Sequence, residues 1–251
     1  MRVSMLQFKP TIGDVDGNFD RAEELIERAL SDQTDVIVLP ELWSTGYYPT
    51  PLEKFADVDG QRSKKFLTYM AQSNKVNVAG GTVAVADGGK FYNRSYAIDR
   101  SGMIRAEYDK AHLFSPAGEE KVFAAGDRLA TYTFDGVKCS TVVCYDIRFP
   151  ETIRRLALGG VELMFVVAAW PIKRLEHWRI LNRARAIENQ MYVAAVNSGG
   201  HSLAIDPWGE IMIEGSIGDE ILTVEIDLEQ RATIRSTMNV FADRNFIIDH
   251  V

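Results

Sequence analysis

The fold is decided by a short segment in the middle of the chain, residues 142–151, which read V-V-C-Y-D-I-R-F-P-E. An apolar run ends at a cysteine, and a charged, proline-containing stretch follows it. Outward from this segment, the sequence predicts a strand at Val137–Val143, a helix at Pro150–Leu158 and a second strand at Leu163–Ala168. Such a unit implies two parallel strands joined by a right-handed crossover. Cys144 is therefore expected at a strand-to-helix junction, where its thiol faces a cleft.

The N-terminal part of the chain shows the same alternation. A strand is predicted at Val3–Phe8, a helix at Asn18–Leu30 and a strand at Asp35–Leu39. The helix carries an apolar stripe, formed by Ala22, Leu25, Ile26 and Ala29. These elements predict a second pair of parallel strands.

The region between these units has a different character. A predicted helix near Arg62–Gln72 is followed by two extended segments, residues 76–85 and 91–98. Asp87-Gly88-Gly89 joins them, and this is a strong hairpin signal because both glycines tolerate positive φ. A further turn is predicted at Arg100-Ser101-Gly102.

The last third of the chain begins with a predicted helix at about Ile172–Asn189. Its apolar stripe is expected to lie in the core and consists of Leu175, Trp178, Leu181, Ala184 and Ile187. A strand over residues 191–197 and a meander over residues 201–227 follow. Because there is no linker or internal repeat, the order of elements predicts α/β layers in a single domain of residues 1–251.

Composition limits the range of functions. The chain has 251 residues, 46% of them hydrophobic, a formal net charge of −7 and a pI of about 5.2. An acidic chain without a block of like charge argues against binding to nucleic acid or to an anionic membrane. No apolar run approaches the roughly 20 residues that span a bilayer, and the start lacks the long apolar core of a signal peptide. We therefore expect a cytoplasmic protein.

The two cysteines are expected to act separately. On one strand, the odd separation of Cys139 and Cys144 directs them to opposite faces, with Cα atoms about 16 Å apart, which is beyond disulfide reach. We interpret Cys139 as a small buried hydrophobic residue.

Three reactive residue types each follow an apolar strand. Glu41 follows V-I-V-L-P, Lys110 follows A-E-Y-D, and Cys144 follows T-V-V. Ligands in open α/β sheets gather beyond the carboxyl ends of strands, and these three groups would suffice for acyl transfer. Cys144 would be the nucleophile, its thiolate favoured by Lys110, and Glu41 the general base and then acid. Lys110 and the backbone N–H of Tyr145 would stabilise the oxyanion.

The motifs around these residues resemble those of the nitrilase, or carbon–nitrogen hydrolase, superfamily. The matching motifs are V-L-P-E-L-W, Y-D-K-A-H-L-F and V-V-C-Y-D-I-R-F-P-E, supported by two later blocks, H-W-R-I-L-N-R-A-R-A-I-E-N-Q-M-Y-V and H-S-L-A-I-D-P-W-G-E-I. The resemblance implies an αββα four-layer sandwich and a catalytic Glu-Lys-Cys triad on Glu41, Lys110 and Cys144. It also implies a second glutamate, best matched by Glu119 with Glu120 as the neighbouring alternative. Family members usually form homodimers, and some assemble further.

Within the superfamily, the sequence looks most like small amidases that include ω-amidases, which deamidate 2-oxo acid amides through a thioester. Such a substrate carries a carboxylate, for which Arg148 is the candidate cation. Phe114, Trp170 and Tyr47 are expected to form the apolar wall. The loop between Asn197 and its following histidine is only S-G-G, shorter than in many relatives, which bears on substrate size.

Other interpretations stay open at this stage. An N-carbamoyl-amino-acid hydrolase or an aliphatic nitrilase would use the same triad, and a non-catalytic binding protein would need only the fold. A Cys-His pair would use His112, although it would also need an orienting Asn or Asp. The other histidines, His177, His201 and His250, lack metal-ligand spacing, so neither a metal nor a cofactor is expected.

Overall fold

The structure is a computed structural model that describes residues 1–245. Within this range the chain forms two β-sheets, each covered on its outer face by helices. The predicted domain of residues 1–251 and His250 extend beyond the described residues, so the single-domain assignment stays a prediction.

The first sheet has eight strands, most of them from the N-terminal half. They are β1 (Arg2–Gln7), β2 (Val36–Val38), β3 (Asp57–Val58), β4 (Asn77–Ala79), β5 (Val83–Asp87), β6 (Lys90–Ile98), β7 (Ile104–Asp109) and β14 (Glu220–Glu225). Their spatial order is β14-β1-β2-β4-β6-β5-β3, and β7 pairs with β6. The pairs β1–β2 and β2–β4 are parallel, as the alternation of apolar runs and helices predicts.

The second sheet has six strands in the order β13-β12-β11-β10-β9-β8. They are β8 (Tyr132–Phe134), β9 (Val137–Val143), β10 (Leu163–Ala168), β11 (Tyr192–Asn197), β12 (Leu203–Ile205) and β13 (Ile211–Glu214). The central strands β9, β10 and β11 are parallel, which confirms the strand–helix–strand unit predicted around residues 142–151.

Five α-helices occur in residues 1–245. They are α1 (Val15–Ala29), α2 (Gln61–Asn74), α3 (Pro150–Leu158), α4 (Leu175–Asn189) and α5 (Leu228–Thr237). The first of them begins three residues before the predicted Asn18 because the Asp14 side chain caps it by accepting from the Gly17 N–H at 3.2 Å. None of the described helices is both long and apolar enough to cross a bilayer.

The core has three layers of apolar contacts. Val3, Val143 and Phe165 belong to the cluster between the sheets. Helix α1 packs on the first sheet through its predicted apolar stripe, and α2 packs on the same face. Helices α3 and α4 cover the second sheet. The predicted αββα four-layer sandwich is therefore confirmed. Alternation along β9 sends Val142 toward α3 and α4 and Val143 toward the other sheet.

Two local predictions were wrong for instructive reasons. The segment over residues 76–85 is not one strand, because it breaks between β4 and β5 at Gly80–Thr82. Gly81 has φ +58°, and a Cβ there would lie 2.1 Å from the Pro40 carbonyl oxygen. Only glycine permits this approach, and it holds the backbone directly before Glu41. The hairpin from β5 to β6 is confirmed.

The apolar stripe expected on the helix at Ile172–Asn189 is also partly wrong. Residues 172–174 form a 3₁₀ turn before α4, and Ile187 is 44% exposed although Trp178 is fully buried. The polar side chain of Arg185 takes a core position because its Nε donates to the Ile147 carbonyl at 2.9 Å. A buried backbone oxygen next to the Cys144 junction is thereby satisfied.

Candidate active site

Cys144 lies on a strained turn. β9 ends at Val143, and residues Cys144–Arg148 form a 3₁₀ helix. Cys144 has φ +46°, a conformation that costs a non-glycine residue about 1–3 kcal/mol. The Asp146 carboxylate stabilises the turn, because its Oδ2 accepts from the Val143 N–H and the Tyr108 hydroxyl, both at 2.8 Å. Cys144 is thereby held at the point where β9 ends.

Glu41 lies in the loop after β2 and is 1% exposed. Its Oε1 accepts from Lys110 Nζ at 2.8 Å and from Asn93 Nδ2 at 2.9 Å, and its Oε2 accepts from the Ala169 N–H at 2.8 Å. A carboxylate oxygen offers two lone pairs. Oε1 is therefore saturated, and Oε2 keeps one lone pair for a further donor.

Lys110 connects two buried carboxylates. Its Nζ is within 2.8 Å of both Glu41 Oε1 and Glu119 Oε2, and all three side chains are fully buried. Glu119 also accepts from the Phe114 N–H at 2.6 Å. Glu120 is exposed, so the structure brings Glu119, and not its neighbour, to the lysine.

Asn93 on β6 was missed by the sequence reasoning. Its Nδ2 donates to Oε1 of Glu41 at 2.9 Å and to Oε1 of Glu119 at 3.0 Å, and the residue is fully buried. The backbone carbonyl of Asn93 accepts from the backbone N–H of Lys110 at 3.0 Å, which fixes the start of the loop that carries the lysine. No local signal marks Asn93, because a polar residue within a strand has many ordinary uses.

We expect Asn93→Leu to lower kcat by about 10²-fold, because both carboxylates lose a donor that fixes their position, and a misplacement of about 1 Å has this effect. The measurement is steady-state ammonia release at saturating amide. Asn74→Leu is the matched control, since Asn74 bonds only within α2. An unchanged kcat in a correctly folded Asn93→Leu variant would show that the bridge is irrelevant to catalysis.

The electrostatics of the site refine one expectation. Burial raises the pKa of the Cys144 thiol, the negative charge of Glu41 and a hydrogen bond to it raise that pKa further, and Lys110 opposes them only in part. Burial alone would lower the pKa of Lys110, but Glu41, Cys144 and Glu119 outweigh it, and the net shift is upward. Both shifts favour the protonated forms, a thiol on Cys144 and an ammonium on Lys110. Lys110 does favour the thiolate, as expected, but burial and the charge of Glu41 outweigh it, because two carboxylates share one cation.

This charge arrangement predicts how the thiol titrates. Since the pKa of Cys144 lies above its ordinary value, the thiolate fraction at neutral pH is lower than in a free thiol, and it grows as pH rises. Iodoacetamide labelling of Cys144 should still be accelerating at about pH 9, beyond the ordinary thiol pKa of about 8.5. Labelling is followed by peptide mass between about pH 6 and pH 10, with glutathione as the reference. If the labelling rate of Cys144 reached its plateau at a lower pH than that of glutathione, the raised pKa would be contradicted.

Two of the reactive groups, Cys144 and Glu41, line a cavity of about 630 Å³. The predicted residues Tyr47, Phe114, Tyr145, Arg148 and Trp170 all line it, together with Cys144 and Glu41. Lys110 and Glu119 are not among its lining residues. The short loop after β11 also contributes to the wall. The pKa of Tyr47 is raised by burial and by the nearby carboxylates, so its phenol stays protonated.

The cavity carries three cations, of which the sequence reasoning named one. Arg148 lies over the Trp170 ring at 4.8 Å, and Arg174 lies over the Phe114 ring at 5.0 Å. Lys9 also contributes to the lining. Within residues 1–245, none of the three is paired with a carboxylate, in an otherwise acidic protein. Arg174 and Lys9 lie outside the recognised motifs, so no signal identified them.

His112 has a supporting position. Its ring Nδ1 is 2.8 Å from Asp146 Oδ1, and its ring stacks on Phe149 with centroids 3.7 Å apart. The charged groups that act on the Cys144 thiol are Glu41, Lys110 and Glu119. The geometry therefore gives no support to a Cys-His pair.

A four-layer sandwich with a cavity lined by a thiol and a carboxylate, in which a buried ammonium is shared with a second buried carboxylate, is typical of hydrolases that act by acyl transfer to sulfur. A sequence profile described as Carbon-nitrogen hydrolase matches residues 2–236. The chain belongs to the carbon–nitrogen hydrolase family, which confirms the resemblance inferred from the motifs.

Individual relatives narrow the class further. The chain is 43% identical over 250 residues to the 2-oxoglutaramate amidase of Bacillus subtilis (strain 168), covering 96% of each chain. It is 30% identical over 272 residues to the omega-amidase NIT3 of Saccharomyces cerevisiae, covering 98% of this chain and 94% of that one. The crystal structure of Saccharomyces cerevisiae Nit3, a member of branch 10 of the nitrilase superfamily, has a TM-score of 0.89 and 30% identity, with 95% and 94% of the chains covered. The prediction of an amidase is confirmed, and these relatives do not favour a carbamoyl hydrolase or a nitrilase.

Proposed function

We propose that this protein is an ω-amidase, which hydrolyses the terminal amide of a small 2-oxo acid amide to the 2-oxo acid and ammonia. The observation that carries the proposal is the pairing of buried Lys110 with Glu41, a cavity-lining residue whose Oε2 can still accept one more proton. The name of the Bacillus subtilis relative supports the substrate class.

In the first half of the proposed cycle, the Cys144 sulfur attacks the amide carbon while its proton passes to Oε2 of Glu41. The carbonyl oxygen becomes an oxyanion, and it accepts hydrogen bonds from Lys110 Nζ and the Tyr145 N–H. The latter lies in the first turn of the 3₁₀ helix, where amides lack acceptors within the helix. Donors of this kind typically contribute a few kcal/mol each. The C–N bond then breaks, and Glu41 gives its proton to the departing ammonia.

In the second half, water replaces ammonia and hydrolyses the thioester. Glu41 takes a proton from the water, whose oxygen attacks the acyl carbon, and the same two donors hold the second oxyanion. The C–S bond breaks and the thiol recovers its proton. The raised pKa of Cys144 fits this cycle, since the thiol is ionised only as it reacts. Glu119 and Asn93 hold Lys110 and Glu41 in place throughout.

The cavity cations, which have no carboxylate partner within residues 1–245, support a substrate with a carboxylate. We assign its recognition to Arg148, with Arg174 as the second arginine of the same cavity. Arg148→Met and Arg174→Met are each expected to raise KM about 10- to 100-fold with little change in kcat. This is the effect of losing one charge-assisted hydrogen bond to the substrate carboxylate. Arg128→Met is the control, because Arg128 is 91% exposed outside the cavity. If KM is unchanged in both cavity variants, the carboxylate is bound elsewhere.

The test of the function is ammonia release from a panel of 2-oxo acid amides, N-carbamoyl amino acids and simple nitriles. We expect turnover of 2-oxoglutaramate to exceed the others. Ammonia accompanied by carbon dioxide from the carbamoyl compounds would indicate the carbamoyl hydrolase instead. No turnover of any compound would favour a non-catalytic protein.

The proposal also includes a homodimer or larger assembly in the cytoplasm. The assembly is supported by the family resemblance and by apolar side chains exposed on and beside α4, where Ile180 is 61% and Trp208 49% exposed. Sedimentation velocity measures the assembly directly.

A further inference from the structure

Three isoleucines from separate loops line the cavity while remaining open to solvent. Ile12 follows β1 and is 65% exposed, Ile217 precedes β14 and is 71% exposed, and Ile172 follows β10 and is 38% exposed. Single exposed apolar residues are ordinary on a protein surface. Three of them on the wall of one reactive cavity form an apolar mouth.

The loop that carries Ile217 is fixed by a buried amide. Gln7 is fully buried, and its Nε2 donates to the carbonyls of Ser216 at 2.9 Å and Gly218 at 2.6 Å. Its Oε1 accepts from the Ser202 N–H at 2.8 Å. The backbone on both sides of Ile217 is thereby held.

The loop that carries Ile12 is held in the same manner. Asn18 is 3% exposed, its Oδ1 accepts from the Thr11 N–H at 2.8 Å, and its Nδ2 donates to the Thr11 carbonyl at 2.8 Å. On the other side, the Gly13 N–H donates to the Thr45 carbonyl at 2.9 Å. The two isoleucines are therefore exposed on loops whose backbone is already held, so a ligand that contacts them does not have to order those loops.

The closed floor of the cavity determines which part of a substrate reaches this mouth. In the proposed mechanism the amide nitrogen leaves toward Glu41, and Glu41, Lys110 and Glu119 are at most 1% exposed. The packed floor suits a small leaving group such as ammonia, so a long substituent must belong to the acyl side. The volume of about 630 Å³ lies in the range of cavities that hold drug-sized ligands.

We propose that the mouth is an acyl-chain subsite, and that the enzyme hydrolyses primary amides with an aliphatic acyl chain that contacts Ile12, Ile172 and Ile217. The proposal rests on the amidase function proposed above and extends its substrate class to amides with an apolar chain. Burial of one methylene corresponds to roughly a fourfold gain, so kcat/KM should rise about two- to fourfold for each methylene that reaches the mouth.

The experiment measures ammonia release from propanamide, butanamide, hexanamide and octanamide by the full-length enzyme. In the wild type, kcat/KM is expected to rise along the series. The double variant Ile12→Ser/Ile217→Ser should flatten the rise, so that the ratio of octanamide to propanamide falls by about tenfold or more. Val58→Ser is the matched control, because Val58 is 64% exposed and lies outside the cavity.

Three results would overturn the proposal. They are a flat series in the wild type, a ratio unchanged in the double variant, and a double variant that changes the sedimentation coefficient, which would make the mouth a subunit contact. Wild-type activity with 2-oxoglutaramate separates the two proposals. If that amide is hydrolysed and the aliphatic series is flat, only the acyl-chain subsite fails; if no amide is hydrolysed, both fail.

Discussion

Cys144→Ala is expected to lower amide turnover by at least about 10⁴-fold, the size of effect seen when a catalytic nucleophile is removed. The thiol is the group at the cavity floor that can form a covalent bond to the acyl carbon, and its strained φ of +46° directs it there. The alanine variant should fold normally, because the side chain that holds the turn belongs to Asp146. The measurement is ammonia release under saturating amide.

The other cysteine of the chain provides a matched control. Cys139 is fully buried in the core between the sheets, and burial raises the pKa of its thiol, so it is unreactive. Cys139→Ala should retain turnover within a fewfold of the wild type. Activity that survives Cys144→Ala would refute the nucleophile assignment, and activity lost equally in both variants would point to a packing defect.

Lys110→Met is expected to have the second largest effect, and on stability as well as activity. Removing the ammonium leaves the carboxylates of Glu41 and Glu119 buried without their cation, and loss of one partner from a buried ion pair typically costs about 3–5 kcal/mol. The oxyanion also loses its charged donor. We expect the free energy of unfolding in urea to fall by that amount and turnover to become undetectable.

A double variant separates charge from packing in this test. Lys110→Met/Glu119→Gln removes one of the two stranded carboxylates, so it should regain part of the lost stability without regaining activity. Lys121→Met is the control, because Lys121 follows Glu119 by two residues in the sequence but its side chain is exposed to solvent. If Lys110→Met were as stable as the wild type, the buried cluster would not depend on the ammonium as described.

The main outline of the fold was predictable because its signals are local. The period of apolar residues in α1 and the paired glycines between β5 and β6 each depend on a few neighbouring residues. The failure at Ile187 had a different origin. The face of α4 that packs inward is chosen by hydrogen bonds such as that from Arg185 to the Ile147 carbonyl, and periodicity contains no information on those bonds.

The candidate site was predictable only as far as its motifs reach. Glu41, Lys110, Glu119 and Cys144 were named from the sequence, and the structure brings all four together. Asn93 was missed because its partners lie 52 and 26 residues away in the chain. The net direction of the shift in the pKa of the thiol could not be predicted for a related reason, since it depends on a sum of buried charges that no single motif contains.

The most direct test of a thioester on Cys144 is how its acyl group partitions between water and hydroxylamine. 2-Oxoglutaramate and the 5-methyl ester of 2-oxoglutarate would form the same acyl-enzyme although their leaving groups differ. A shared acyl-enzyme on Cys144 should give one ratio of hydroxamate to acid from both substrates, and Cys144→Ala should give neither product. A ratio that depends on the leaving group, or products formed by the alanine variant, would contradict it.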